Sequence, residues 1–385
     1  MKLGLVAQSV SSIIEDMPLS LAKGLAQRGH DVSVITTHIT PPREQPYREQ
    51  TDEIMDTTPD GVEFRFVPAA RLGNDMDLCA PWSRALVGDF DALVLHEDYP
   101  LLSKVGFLWA RHQGIPTVML FERYYYPPRA AAALGLRALD RLLHPLMWRG
   151  SRLLLYRSHE CRTFFTEMGA PSAISHYFPG WVDVEKIRAI AGRARESALP
   201  SASDTTEILS IGRLTPHKGY DVLLQSIRLL QRRAVNVHVQ IQGRGPMERE
   251  LRQMVVDFGL EDVVEIRSTL VPSTQVFQMM GAADIYVQPS RIEPLGVAAV
   301  EAMASGLPLV ASSVGGLSDS VVDGQTGFLV PSNDPVRLSE ALERLVDDKD
   351  QAREMGKRGQ ERAVAIFDVR EASRRFETMV QEIIA

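Results

Sequence analysis

Short apolar runs recur along the chain, each closed by glycine, proline or a polar cluster and followed by a stretch whose apolar positions repeat at helical spacing. Leu3 to Ala7, Asp31 to Thr36, Val62 to Val67, Ala92 to Leu95, Thr117 to Phe121 and Leu153 to Tyr156 read as buried strands. Helical stretches separate most of them, the first from Pro18 to Gln27 with Gly29 as its cap. This alternation predicts a doubly wound parallel sheet. A second series starts with a strand at Glu207 to Ile211, a helix at Tyr220 to Arg232 and a strand at Val237 to Gln242. It reaches its densest part between Ala283 and Gly316. There Asp284 to Gln288 is a strand stopped by Pro289 and Ser290, and Pro294 presets φ for a first helical turn. Leu295, Ala298, Ala299, Ala302 and Met303 fall at helical spacing, Gly306 and Pro308 close the helix, and Leu307 to Ala311 is the next strand. Helices at Pro335 to Val346, Gln351 to Phe367 and Glu371 to Ile384 finish the chain.

Composition narrows the class. A chain of 385 residues is too long for one average domain, and with 45% hydrophobic and 24% charged residues it is neither disordered nor fibrous. Phe178 to Asp183 ends the first half, so the domains are expected at 1–183 and 184–370; Lys186 to Thr206, rich in Arg, Ala and Ser, reads as an inter-domain hinge region. A net charge of −7 argues against nucleic acid as a partner. Cys79 and Cys161 have no metal-ligand spacing and are too few for a disulfide framework, which favours a reducing compartment and buried thiols. Met1 to Val10 lacks the h-region of a signal peptide, and no apolar run approaches the roughly eighteen residues that span a bilayer. A soluble, cytoplasmic protein is expected.

The strand, helix, strand unit around Glu293 carries the chemistry. In such a unit the loop after the first strand faces the ligand crevice, and the open amides of the following helix attract phosphate. Here those amides belong to Leu295, Gly296 and Val297, and Glu293 lies in the loop. Glu301 is eight residues on, about 12 Å along a helix axis and about 80° round. Two carboxylates beside a phosphate-attracting helix start suggest a sugar nucleotide, with acids accepting bonds from hydroxyls. Gly212 and Gly219 bracket two cations, Arg213 and Lys218, directly after a predicted strand. His96 and Glu122 each end a strand on the ligand-facing edge.

The run E-P-L-G-V-A-A-V-E-A-M-A-S-G-L-P-L-V-A-S-S-V-G-G resembles the E-x7-E signature of the retaining GT-B glycosyltransferases of family four. The resemblance is dense from Glu207 to Val330, includes the closing turn and strand at Asp323 to Val330, and is scattered in the first half. It implies two Rossmann-like domains facing a central cleft, with the last helix, 371–385, packing back on the first domain. It further implies transfer of a hexose-type sugar from a nucleoside-diphosphate sugar, UDP- or GDP-linked, to a hydroxyl of a small molecule, glycan or lipid-linked sugar. No metal and no other cofactor is expected. In the resemblance Glu293 and His96 are catalytic, Arg213, Lys218 and the amides of Leu295, Gly296 and Val297 hold the diphosphate, Glu301 the ribose, and Leu270 and Val271 the base.

The acceptor side departs from that pattern. The first strand-to-helix turn reads Ser9, Val10, Ser11, Ser12 where the family usually has a glycine pair; Ser11, Ser12, Glu122 and Tyr124 are the acceptor-side candidates. Segment 123–162 is basic and apolar, with Arg123, Arg141, Arg149 and Arg157 among Leu142, Leu146 and Trp148. It fits either a core-facing helix pair split by Pro145 with solvated arginines, or a surface in peripheral contact with the anionic inner face of a membrane. A nucleotide-sugar 2-epimerase would share the fold and the ligand, and the Glu293 to Glu301 signature argues against it. A non-catalytic nucleotide-sugar-binding subunit would keep Arg213 and Lys218, and the serine turn keeps that alternative open.

Overall fold

The structure, a computed structural model, describes residues 1–7, 17–37, 61–67, 69–71, 77–79, 87–98, 100–122, 134–197 and 205–385, with backbone only at 69–71, 77–79 and 134–139. They form two compact units, Met1–Gly180 with Val369–Ala385, and Trp181–Asp368. Ser11, Ser12 and Tyr124 lie outside the described residues.

In the first unit the strands are β1 (Lys2–Val6), β2 (Asp31–Thr37), β3 (Val62–Val67), β4 (Ala69–Arg71), β5 (Asp77–Cys79), β6 (Ala92–His96), β7 (Thr117–Phe121), β8 (Leu153–Tyr156) and β9 (Ser175–Tyr177). Seven of them make a parallel sheet in the order β3-β2-β1-β6-β7-β8-β9, and β4 and β5 form a separate antiparallel pair. Strands buried on both faces need apolar residues at every position, which is why β1, β6, β7 and β8 are legible as unbroken runs. Leu95, Met119, Phe107, Trp148 and Phe165 fill the core beside them, and Cys161 is buried, its Sγ donating to the Phe121 carbonyl at 3.9 Å.

Helix Leu134–Gly150 continues through Pro145 rather than splitting there. Leu143, Met147 and Trp148 enter the core, while Arg141, Arg149, Leu142 and Leu146 are exposed. This is the core-facing reading of that segment. Asp98, fully buried, accepts from Trp148 Nε1 at 3.1 Å and lies 3.5 Å from His144 Nδ1. Lys104 Nζ donates to the Asp98 carbonyl at 2.9 Å and pairs with Asp140 at 2.9 Å. Burial alone would raise the Asp140 pKa, but the bonds from His144 and Lys104 outweigh it and hold the carboxyl at about 2. A folded value below the unfolded one contributes stability above pH about 4 that is lost as pH falls toward about 2. Asp140→Asn is therefore expected to flatten stability over that window, as measured by urea denaturation at stepped pH.

The last helix, Val369–Ile384, lies in this unit against helix Met17–Gln27, and Arg28 Nε donates to Glu377 at 2.6 Å. His30 Nε2 approaches the other oxygen of Glu377 at 3.0 Å.

The second unit holds β10 (Thr206–Ile211), β11 (Val237–Gln242), β12 (Val264–Arg267), β13 (Ile285–Gln288), β14 (Leu309–Ser312) and β15 (Gly327–Val330), all parallel, in the order β12-β11-β10-β13-β14-β15. Strand β12 escapes the sequence pattern because it is an edge strand with alternating burial over four residues, Val-Glu-Ile-Arg. Lys186 to Ser197 is not a linker: it belongs to helix Val184–Ser197, whose Val184, Ile187 and Ala191 are buried in this unit. Arginine and serine on its outer face give it the composition of a connector. Gln351 to Phe367 is likewise not one helix but Lys349–Arg362 followed by a π-helical turn, Ala363–Phe367.

Candidate active site

Both sheets reverse the order of strand addition once, between β1 and β6 and between β10 and β13, and ligands of doubly wound sheets bind at the carboxyl ends of the strands at that point. In the second unit the two loops there are 212–219 after β10 and 289–296 after β13.

These loops are bound to each other through backbone. Arg291 N donates to the His217 carbonyl at 2.7 Å and Ile292 N to the same oxygen at 3.3 Å. Gly219 has φ 69°, and a Cβ there would lie 2.0 Å from the Pro289 carbonyl oxygen. A third loop joins them: a Cβ on Gly243 would lie 1.8 Å from the Gly212 oxygen, and Leu214 N donates to the Arg244 carbonyl at 2.8 Å. Arg291 completes the clasp, donating from Nη1 and Nη2 to Asp221 at 2.8 and 2.6 Å and to the Pro216 carbonyl at 2.6 Å. Burial raises the Asp221 pKa, and this guanidinium more than offsets it, so the carboxyl sits below its ordinary value.

Glu293 is 6% exposed. Its Oε2 accepts from Lys218 Nζ at 2.5 Å, from Gln288 Nε2 at 2.5 Å and from Ser290 Oγ at 3.0 Å; Oε1 accepts from the Gly296 amide at 3.3 Å. Residues 75 apart in sequence are thereby joined, because β10 and β13 are neighbours in the sheet. So many donors fix the carboxylate in one orientation.

Glu293 does not share a helix with Glu301. The helix is Val297–Ala304, capped by Gly296 at φ 73°, so Pro294 lies in the loop and the axial separation expected for one continuous helix does not apply. Glu301 is on the helix and half-buried. Leu295 and Val297 stand at its start, and the Gly296 amide already serves Glu293. Arg213 is exposed, Lys218 half-buried. Burial, then the Lys218 and Arg213 charges, lower the His217 pKa, a sign of positive potential around this loop. Leu270 and Val271 are half-buried in the loop between β12 and helix Ser273–Ala282.

In the first unit β6 and β7 bring His96 and Glu122 together, with Nε2 and Oε1 2.7 Å apart. Arg157, after β8, approaches the same Glu122 oxygen at 3.7 Å. Gln288, Ser290, Arg291, Asp221, Glu97 and Arg157 are absent from the sequence-based site. Polar residues at the end of an apolar run, as in Gln288-Pro289-Ser290, are the one local sign that existed.

The second half, residues 193–362, matches "Glycosyl transferases group 1", and residues 14–181 match "Glycosyl transferase 4-like domain". A D-inositol 3-phosphate glycosyltransferase of Streptomyces avermitilis is 30% identical over 318 residues, 77% of this chain and 67% of that protein. The chain belongs to the group 1 glycosyltransferases. The enzyme of the same description from Streptomyces scabiei is 29% identical, covering 88% of this glycosyltransferase and 79% of its own length. Among solved structures, Anabaena HepE in complex with UDP-glucose superposes with a TM-score of 0.73 at 18% identity, covering 99% of this chain and 100% of that one. The fold of this glycosyltransferase is therefore GT-B, two Rossmann-like domains each with a parallel sheet. Among the described residues no helix is long and apolar enough to cross a membrane.

Proposed function

We propose that this glycosyltransferase moves a hexose-type sugar from a nucleoside-diphosphate sugar, UDP- or GDP-linked, to an acceptor hydroxyl with retention of anomeric configuration. The observation that carries this reading is the meeting of Lys218 with the buried Glu293 at the switch point of the second sheet. A fixed carboxylate there accepts hydrogen bonds from the sugar's hydroxyls, and Lys218 stands next to it to meet the diphosphate. Arg213 and the amides at Leu295 and Val297 add positive potential, and Glu301 takes the ribose diol.

Negative charge develops on the departing phosphate, so cations and amides placed there stabilise the transition state more than the ground state. In the proposed step the acceptor oxygen attacks the anomeric carbon from the face the phosphate leaves. The carbon–oxygen bond to phosphate breaks as the new one forms, and a phosphate oxygen takes the acceptor's proton. His96, steered by Glu122, bonds a hydroxyl of the transferred sugar or of the acceptor. The names of the Streptomyces relatives favour a small polyol phosphate as the acceptor class, and the HepE complex favours UDP-glucose as a first donor to assay.

A thermal-shift panel with UDP, GDP, ADP, dTDP and CMP tests the donor half. A ligand at 100 times its Kd is expected to stabilise the fold by about 2.7 kcal/mol. One clear responder identifies the donor class; no response from any of the five removes the reading of Lys218 and Glu293 as a donor site.

A further inference from the structure

Three adjacent strands of the first unit, β6, β7 and β8, end side by side, and each delivers polar side chains to one edge: His96 and Glu97, Glu122, and Arg157. Glu97 is in the left-handed region, with φ 63°, a conformation few residues with a Cβ adopt. Its amide still donates to the Leu120 carbonyl at 2.9 Å, so the ladder between β6 and β7 runs one residue further. The twist sends the side chain across to β7, where Oε1 accepts the Glu122 amide at 2.8 Å. Only 5% of Glu97 is exposed, and a buried carboxylate persists where donors and cations meet it.

A nearby cation is Arg157, 2% exposed. Its amide donates to the Phe121 carbonyl at 3.0 Å, its Nη1 to the Pro179 carbonyl at 3.4 Å, and its Nη2 lies 3.7 Å from Glu122 Oε1. Burial lowers its pKa to about 10, while the Glu122 and Glu97 charges act in the other direction. Strained backbone kept in place by buried polar contacts marks sites where geometry matters to function.

We propose that Glu97 and Arg157 are positioning residues that hold Glu122, one through its backbone amide and the other through its charge, so that Glu122 fixes the ring of His96. With Glu122 accepting at Nε2, that nitrogen carries the proton and the plane of the ring is set. The proposal rests on the reading of His96 as a group that meets substrate.

The test compares Glu97→Ala, which removes the acceptor oxygen, with Glu97→Gln, which keeps it, in the full chain. Two readouts are needed: steady-state kinetics with the responding donor, and the NMR signals of the His96 ring nitrogens. In Glu97→Ala the ring signals are expected to move and kcat to fall about tenfold or more, with the donor KM unchanged. Glu97→Gln restores the ring signals and most of kcat. In the pair His96→Ala with Glu97→Ala, the second change adds nothing to the first. Unmoved ring signals in Glu97→Ala, or additive losses in the double variant, overturn the proposal. Moved signals with full kcat in both Glu97→Ala and His96→Ala show instead that the positioning is real and the catalytic reading of His96 is wrong. Should Glu97→Ala fail to fold, Glu97→Gly, which suits the left-handed backbone, carries the same comparison.

Discussion

Replacing Glu293 with alanine is expected to lower kcat by about a thousandfold while a nucleoside diphosphate still binds with equal or greater affinity. The Lys218 ammonium is committed to Glu293 at 2.5 Å. Removing the carboxylate releases that cation toward the diphosphate, so binding of the nucleotide product has no reason to weaken. What disappears is the acceptor of hydrogen bonds at the sugar, a contact that matters only when a sugar is attached and reacting. Stability is expected to fall by about 1–3 kcal/mol as well, because buried Gln288 and Ser290 lose the oxygen they donate to. Isothermal titration with the nucleoside diphosphate, alongside initial rates at saturating donor, separates the effects. Loss of nucleotide binding with unchanged turnover per bound donor would refute the role given to Glu293.

Gly219→Ala is expected to cost about 3 kcal/mol or more of stability and to weaken donor binding at least about tenfold. Two penalties combine at this position. Its φ of 69° is strained for alanine, and the new methyl would stand 2.0 Å from the Pro289 carbonyl oxygen. Neither neighbour can swing aside as a side chain would, because the contact is with backbone at the end of β13. The loops carrying Lys218 and Glu293 must therefore separate, and the pair between them with it. Gly259→Ala is the control: its φ is 66°, yet nothing lies within 4 Å of the added methyl, so it reports the backbone strain alone, about 1 kcal/mol. Urea denaturation of both variants, with and without the responding nucleotide, checks the difference. Equal losses in the two would mean that the loops around Gly219 can part at no cost.

Much of the fold was written in local pattern. Parallel strands buried on both faces demand continuous apolar runs, and β7 and β8 sit where those runs begin and end. The turn from Gly212 to Gly219 was legible for a similar reason: glycine where a strand turns into a helix is displayed directly in sequence. Strand β12 and helix Val184–Ser197 were hidden because an edge strand and a helix with a charged outer face look like connectors.

What sequence could not supply was partnership between distant side chains. By itself it determined that Glu293, Lys218, His96 and Glu122 stand at the carboxyl ends of strands, since each follows an apolar run. Only the tertiary structure decided that Lys218 donates to Glu293, that Arg291 clasps Asp221, and that Glu97 turns from β6 to seat Glu122 beside His96. Strand order and register set those meetings, and both arise from packing across separations of 25 to 75 residues, beyond the reach of any local period.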